Sequence, residues 1–343
     1  MSFDPAQLEK VLGLIETQYG SGSVYHGGKT KPIPRISTGS LELDYATTGG
    51  VPFGRFSRFW GAPSSGKTMI AWLTAANAQK MGYTVAYYNA EKQYDERHAA
   101  RLGVDVKRLV VVEGSEIETI ATKMEALLGV VNLHIVDSCS SCISVDELNA
   151  KVEDWLPGIS ARAWGKVLRR LLERFDPLNN AGILIDQVRA SIGAYGGGDH
   201  PPGGRALEHA SSMTLEFRKG AWLYRNDEGL LAAEDKSGSK KTTMSGNKEA
   251  DGQEYVIRVG KSRVGRPGRV ARPFYDYDKP GFDITKEYAR AGRHFGLIQN
   301  SGAWFTLSDG TRAQGEARMR AALADNPKAL EEIRVRTLQE AAK

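Results

Sequence analysis

Residues Gly61 to Thr68 read GAPSSGKT, which fits the spacing G-x-x-x-x-G-K-[ST]. An apolar, strand-like run precedes them and a helix-like run follows. Glycines at the two fixed positions permit a backbone path that side chains would block. Such a loop turns successive N–H groups inward as an anion-binding nest, and the next helix adds its free N-terminal donors. The chemistry is phosphate binding by Gly61, Ala62, Pro63, Ser64, Ser65, Gly66, Lys67 and Thr68. Lys67 reaches the β and γ phosphates, Thr68 offers a hydroxyl to Mg2+, and Ser65 adds a donor. Asp137 closes the apolar run NLHIVDS, where its carboxylate can orient water on Mg2+. Glu91 ends YTVAYYNAE, and a carboxylate there can take a proton from attacking water. The other reading of Glu91 is a surface residue opening a helix over EKQYDERHAARLG. Gln187 ends AGILIDQ, as a γ-phosphate sensor or as a capping or packing amide.

The elements that must position these groups alternate along the chain. Strands are expected at GRFSRFWG, YTVAYYNAE, RLVVVEG, VNLHIVDS and AGILIDQVR, with helices at Met69 to Lys80, Ile117 to Leu128 and Ala163 to Phe175. Apolar strands separated by helices predict a largely parallel sheet covered on both faces. SSMTLEFRKG and EYVIRVGKSR read as strands added at one side, in antiparallel sense. Between them, the polar stretch from Tyr224 to Gln253 reads as an exposed mobile loop. An amphipathic helix over Pro5 to Tyr19 precedes the core, on a glycine-rich leash. It either folds back on its own core or docks on a neighbouring copy. After DKPG come a helix in DITKEYARAGRHFGLI and a hairpin with Asp309-Gly310 at its turn. A last helix follows, with Asn326 as N-cap and Pro327 in its first position.

Composition sets the outer bounds. Of 343 residues, 41% are hydrophobic and 25% charged, which suits a globular protein with an ample core. A net charge of +5 permits a polyanionic partner without requiring one. Two cysteines exclude a disulfide scaffold and a four-cysteine zinc site. Cys139 and Cys142 have redox-type spacing but read as small residues beside the sheet. There is no signal-peptide pattern and no apolar run of membrane-spanning length, so a cytoplasmic protein with no membrane partner is expected.

Longer blocks carry a resemblance. ISTGSLELDYATTGGVPFGRFSRFWGAPSSGKT, NAEKQYDERHAARLGVD, LHIVDS, LIDQVRASIG followed by GGRALEHAS, and SGAWFTLSDGTRAQGEARMRAALADNP resemble the bacterial RecA recombinase family in order and spacing. The resemblance implies an α/β fold: a RecA-type P-loop ATPase core with a mainly parallel central sheet, an N-terminal helix and a small α+β C-terminal domain. Residues 1–34 would be the helix and linker for subunit docking, 35–280 the core and 281–343 the C-terminal domain. It implies an ATP- and Mg2+-dependent homologous recombinase for DNA repair. Such a protein forms a helical filament of its own copies on single-stranded DNA and exchanges strands with homologous double-stranded DNA. A self-cleaving repressor is a further implied partner.

Residue by residue, Glu91 matches the family's catalytic glutamate and Gln187 its γ-phosphate sensor. Lys261 matches a lysine that reaches ATP from the neighbouring subunit, and Arg263 stands where a second lysine is usual. Adenine is expected near Asp95, His98 and Tyr277, with His98 in place of a tyrosine and Asn89 in place of an aspartate. The first DNA loop is expected over Glu153 to Gly165 and the second over Val188 to Arg205. Arg162, Arg189 and Arg205 are candidate phosphate contacts, and Gly203 and Gly204 offer backbone donors. Trp164 and either Ile192 or Tyr195 are candidate stacking surfaces, Trp164 being otherwise a core residue. Rival readings are a small-molecule kinase, an ATP-switched DNA-binding filament without strand exchange, and a helicase on the same core.

Overall fold

A computed structural model describes residues 4–20, 23–27, 32–151, 158–188, 204–233, 249–279 and 281–343, with side chains from 206 in the segment that opens at 204. The chain forms two compact units, Met1–Pro34 and Arg35–Lys343. The first contains helix α1 (Pro5–Tyr19), whose first N–H groups donate to the Asp4 carboxylate. None of its residues is buried; in its apolar stripe Val11 is exposed and Leu8, Leu12 and Ile15 are half-buried.

The second unit opens with a two-strand pair, β1 (Arg35–Ile36) and β2 (Val51–Pro52), flanking α2 (Leu41–Ala46). Strand and helix then alternate: β3 (Arg55–Gly61), α3 (Lys67–Lys80), β4 (Val85–Asn89), α4 (Glu96–Arg101), β5 (Leu109–Glu113), α5 (Ile117–Leu127) and β6 (Leu133–Asp137). Helices α6 (Val145–Asn149) and α7 (Ile159–Arg174) lead to β7 (Ala181–Gln187). Helix α8 (Gly204–Ala210) precedes β8 (Ser211–Arg225), β9 (Leu231–Ala232), β10 (Gly252–Ser262), β11 (Val270–Ala271) and β12 (Phe274–Asp276).

The main sheet has the order β11-β10-β8-β3-β7-β6-β4-β5. Every residue of β4 and β6 is buried, because helices cover both faces. Alternation along each strand splits the core in two. Phe59 and Ile185 face Ile70 and Trp72 of α3, while Phe56 and Leu184 face Ile120 of α5 and Leu168 of α7. Helix α7 buries Trp164, Val167, Leu168 and Leu171, one stripe at helical spacing. Each such side chain contributes about 1.5–3 kcal/mol on leaving water.

Three expectations are corrected. Strand β8 runs parallel to β3, and β10 turns back against it. EKQYDERHAARLG is helical only from Glu96. Lys92 sits at a φ of 55°, and Asp95 caps the helix by accepting from the N–H groups of Arg97 and His98. The start of the polar stretch is a hairpin between β8 and β9, and its end lies in β10. Residues 234–248 lie outside the described residues.

Beyond β12, the same unit contains α9 (Ile284–His294), a three-stranded sheet of β13 (Ile298–Ser301), β14 (Trp304–Leu307) and β15 (Arg312–Gln314), α10 (Glu316–Ala324) and α11 (Pro327–Ala342). Leu41 of α2 joins the cluster of Ala289, Ile298, Phe305, Met319, Leu323 and Ile333. Glu287 of α9 is buried against the start of α2, accepting from the Ser40 hydroxyl at 3.0 Å and the Glu42 N–H at 3.1 Å. Burial, with the Glu42 charge adding, pushes its carboxyl up to about 8.

Candidate active site

Strand β3 ends at Gly61, where a Cβ would lie 2.2 Å from the Phe217 carbonyl oxygen. The chain turns through Ser64 at a φ of 56° and Gly66 at a φ of 93° and enters α3 at Lys67. No side chain caps that helix, so its first N–H groups face the bend without a side-chain acceptor. A phosphate supplies the missing acceptor and matches the helix dipole. The backbone therefore fits the nucleotide that its spacing predicts.

Lys67 is buried, and its ammonium donates to the carbonyl oxygens of Gly61 at 2.9 Å and Ala62 at 2.8 Å. Burial lowers its pKa, while the carboxylates of Asp137, Glu91 and Asp186 pull the other way. The Thr68 hydroxyl donates to Asp137 Oδ2 at 2.7 Å, and the Tyr87 hydroxyl donates to the same oxygen at 3.0 Å. Burial, with Glu91 adding, pushes the Asp137 carboxyl up to about 6; the Thr68 and Tyr87 hydrogen bonds and Lys67 oppose it. Among the described residues no three His, Cys, Asp or Glu side chains are grouped to hold a metal. Thr68 beside Asp137 is the kind of oxygen donor set that Mg2+ takes together with phosphates and retained waters.

Glu91 follows β4, where the N–H groups of Ala90 and Glu91 donate to the Asp137 carbonyl at 2.9 and 3.2 Å. Its Oε1 accepts from Gln187 Nε2 at 2.5 Å, from the Ser138 hydroxyl, and from the Ser141 hydroxyl at 3.3 Å. Gln187 lies in register with Gly61 across the β3–β7 ladder, so the bend and this amide leave the sheet side by side. Ser64, Ser65, Gly66, Lys67, Thr68, Glu91, Asp137 and Gln187 line one cavity of about 670 Å³, within the range of small-molecule and cofactor sites.

The far wall of that cavity carries His98 and Tyr277, both exposed, with Tyr255, Tyr275, Gln93 and Arg101. Arg101 donates to the Tyr277 carbonyl oxygen. Asp95 is not on this wall; its carboxylate caps α4. Lys261 and Arg263 lie at the end of β10, outside the cavity lining. The Lys261 ammonium donates to the Glu208 carbonyl oxygen at 2.5 Å, and the Arg263 N–H donates to the Ser212 carbonyl at 2.8 Å.

The DNA candidates are spread more widely. Arg162 is exposed on α7. Trp164 is buried at 2% exposure and its indole N–H donates to the Cys139 carbonyl at 3.3 Å. It is a core residue, and its assignment as a stacking surface is withdrawn because neither ring face reaches solvent. Arg189, Ile192, Tyr195 and Gly203 lie outside the described residues, as does the Arg205 side chain; Gly204 opens α8.

Sequence reasoning missed the serines after Asp137, Arg101 on the wall, and a buried Arg58–Asp186 pair beneath Gln187. The repeated serines in DSCSSC were the available signal for the first. Arg101 stands three residues after His98, hence on the same helix face.

An uncapped helix entered through a glycine-bounded bend, with an aspartate closing a buried parallel strand beside it, defines the P-loop class of α/β nucleotide-binding proteins. Residues 6–272 match the RecA N-terminal domain, and residues 290–342 match the RecA C-terminal domain. The chain is 33% identical to Protein RecA of Thermus aquaticus over 342 residues, covering 98% of this chain and 94% of that protein. It is 32% identical to Protein RecA of Clostridium tetani, covering 95% and 89%, and 32% identical to that of Pseudomonas fluorescens, covering 93% and 86%. The chain belongs to the RecA family of ATP-dependent recombinases, DNA strand-exchange ATPases acting on single- and double-stranded DNA. Members of this family bind ATP and Mg2+ through the P-loop of the N-terminal domain and assemble as filaments of their own copies. Among the described residues no helix is long and apolar enough to cross a membrane.

Proposed function

We propose that residues 61–68 hold ATP at the end of β3, that Glu91 activates water against its γ phosphate, and that Gln187 makes turnover depend on DNA. Mg2+, when bound at Thr68 and Asp137, supplies charge neutralisation at the phosphates. Backbone N–H groups of the bend and of the first turn of α3 bind phosphate oxygens, and Lys67 adds a positive charge that accumulating negative charge strengthens. The attacking water loses its proton to Glu91. Three donors occupy Oε1, which leaves Oε2 to accept it. The new oxygen–phosphorus bond replaces the β–γ bridging bond, giving ADP and phosphate. His98, Tyr255 and Tyr277 offer ring faces and edges for the base.

Lys261 and Arg263 act in the same proposal on the nucleotide of the adjacent copy. Their placement outside their own subunit's cavity supports that reading, and both retain the charge a γ phosphate attracts. Loss of the γ phosphate on hydrolysis weakens that joint. Single-stranded DNA lies along the segments from Glu153 and from Val188, with Arg162, Arg189 and Arg205 on its phosphates. Helix α1 docks on a neighbouring copy, since an amphipathic helix on a glycine-rich leash needs a partner for its apolar stripe. The protein works in the cytoplasm, and its filament would also be assayed for promoting cleavage of a self-cleaving repressor.

The observation that carries the proposal is the Gln187 amide donating to Glu91 at the mouth of the second candidate DNA segment. Steady-state ATP turnover with and without single-stranded DNA tests it, with Glu91→Gln beside the wild type. DNA-stimulated turnover that the substitution abolishes is expected. Turnover unmoved by either DNA or the substitution would refute it.

A further inference from the structure

Beneath the cavity floor, strands β3 and β7 carry an ion pair. Arg58 Nη2 donates to the Asp186 carboxylate, and both side chains are 1% exposed. The two residues share the sheet face of Phe56 and Leu184, the side on which Cys139 and Trp164 are packed. The parallel ladder fixes them diagonally, Arg58 opposite Leu184 and Trp60 opposite Asp186. Burying two charges there costs more desolvation than attraction readily repays, and well-packed apolar residues of similar volume are often as stable. Stability alone is a weak reason for an ion pair at this place.

Its neighbours supply a better one. Asp186 immediately precedes Gln187. Burial raises its pKa; Arg58, the Gln187 N–H and the Ser140 hydroxyl oppose that rise by hydrogen bonding or charge. The Gln187 N–H also lies 3.3 Å from Ser140 Oγ, and Ser140 Oγ lies 3.0 Å from Ser138 Oγ. Ser138 donates onward to Glu91 Oε1, the oxygen that also accepts from Gln187. A closed ring of contacts therefore runs from the Gln187 N–H through Ser140 and Ser138 to Glu91, and back through the Gln187 amide, with Asp186 joined to it by the peptide bond to Gln187. Cys139, inside the same short segment, holds the Trp164 indole of α7 by its carbonyl.

We propose that the Arg58–Asp186 pair, together with Ser140 on the Gln187 N–H, is a positioning device that fixes Gln187 against Glu91 and so transmits displacement of the chain beyond Val188 to the hydrolytic carboxylate. This rests on the roles proposed above for Glu91 and Gln187. The pair anchors the backbone of residue 186 to the adjacent strand. Strain applied from residue 188 onward then moves the Gln187 amide about a fixed point and does not slide β7. Ser140 ties the same point to the segment carrying Ser138. These residues do not line the nucleotide cavity, so they act on the rate of the chemical step and not on nucleotide affinity.

Ser140 gives the sharper test, since it is only partly buried and its removal need not disturb the core. In the full-length protein with single-stranded DNA, Ser140→Ala should lower kcat about tenfold with KM and nucleotide Kd unchanged. Ser140→Thr, which keeps the hydroxyl, should restore most of the rate. The paired substitution Arg58→Met with Asp186→Leu should retain thermal stability yet lose DNA stimulation to a similar degree. Wild-type kcat in Ser140→Ala, or undiminished DNA stimulation in a folded paired variant, with Glu91→Gln inactive, overturns this proposal alone. A wild type without DNA-stimulated turnover, or an active Glu91→Gln, overturns the assignment of Glu91 first. The serine variants decide the matter whatever the stability of the paired variant.

Discussion

At the scale of single residues, the site depends on a few atoms with little freedom. Glu91→Gln keeps the shape that accepts the Gln187, Ser138 and Ser141 hydrogen bonds but cannot take a proton. A loss of kcat of about 10²–10⁴-fold is expected, with nucleotide binding retained in a fluorescence titration. Gly61→Ala is a harsher change, because its Cβ would stand 2.2 Å from the Phe217 carbonyl oxygen. It should lower both the melting temperature and nucleotide affinity, read by thermal denaturation with and without nucleotide. Residue spacing alone made the bend legible, since G-x-x-x-x-G-K-T constrains backbone and charge together. Glu91 was ambiguous because its sequence continues in a helix-like pattern. The structure starts α4 only at Glu96, with Asn89 Oδ1 accepting from the N–H groups of Gln93 and Tyr94 in the turn between. Asp95 carries a structural task besides the one read from the sequence: an aspartate before a helix is used as a cap, which its type already suggested.

At the scale of elements, alternating apolar runs and helix patterns marked each parallel strand that ends at the site. Strand sense was not legible in β8, since a continuous apolar run is the same text in either direction; only the pairing with β3 settles it. The Arg58–Asp186 pair was hidden because charges in RFSRFWG and AGILIDQ read as edge or end residues, and their meeting depends on register. Glu287 was hidden likewise, in a helix whose polar residues are otherwise on its outer face. Its carboxyl moves from an ordinary 4.5 to about 8, so the folded state keeps a proton that the unfolded chain releases in that interval. The stabilising contribution is complete below about pH 4.5 and is lost as pH rises toward about 8, with an upper limit on the order of 5 kcal/mol. Glu287→Gln should therefore melt several degrees higher than wild type at pH 9 and show little or no advantage at pH 5. A parallel shift at both values would contradict the assignment. Asn326→Ala removes the cap that accepts from the Ala329 N–H at 3.0 Å and should cost about 1 kcal/mol in denaturant unfolding.

At the scale of the whole molecule, the proposed catalytic unit is the joint between two copies. Glu91 comes from one subunit and Lys261 with Arg263 from the next. Glu91→Gln and Lys261→Ala should each be inactive alone. Mixed in equal amounts, they should regain turnover at about a quarter of the joints, where an intact face meets an intact face. This arrangement was legible only through the longer blocks of sequence, since a lysine at the end of a strand carries no sign of which subunit it serves. The most direct measurement is ATP turnover by the purified chain at increasing protein concentration, with and without single-stranded DNA. The account predicts low turnover without DNA, and with DNA a steep, cooperative rise as subunits meet along the strand. Equal rates with and without DNA, strictly proportional to protein concentration, would contradict it.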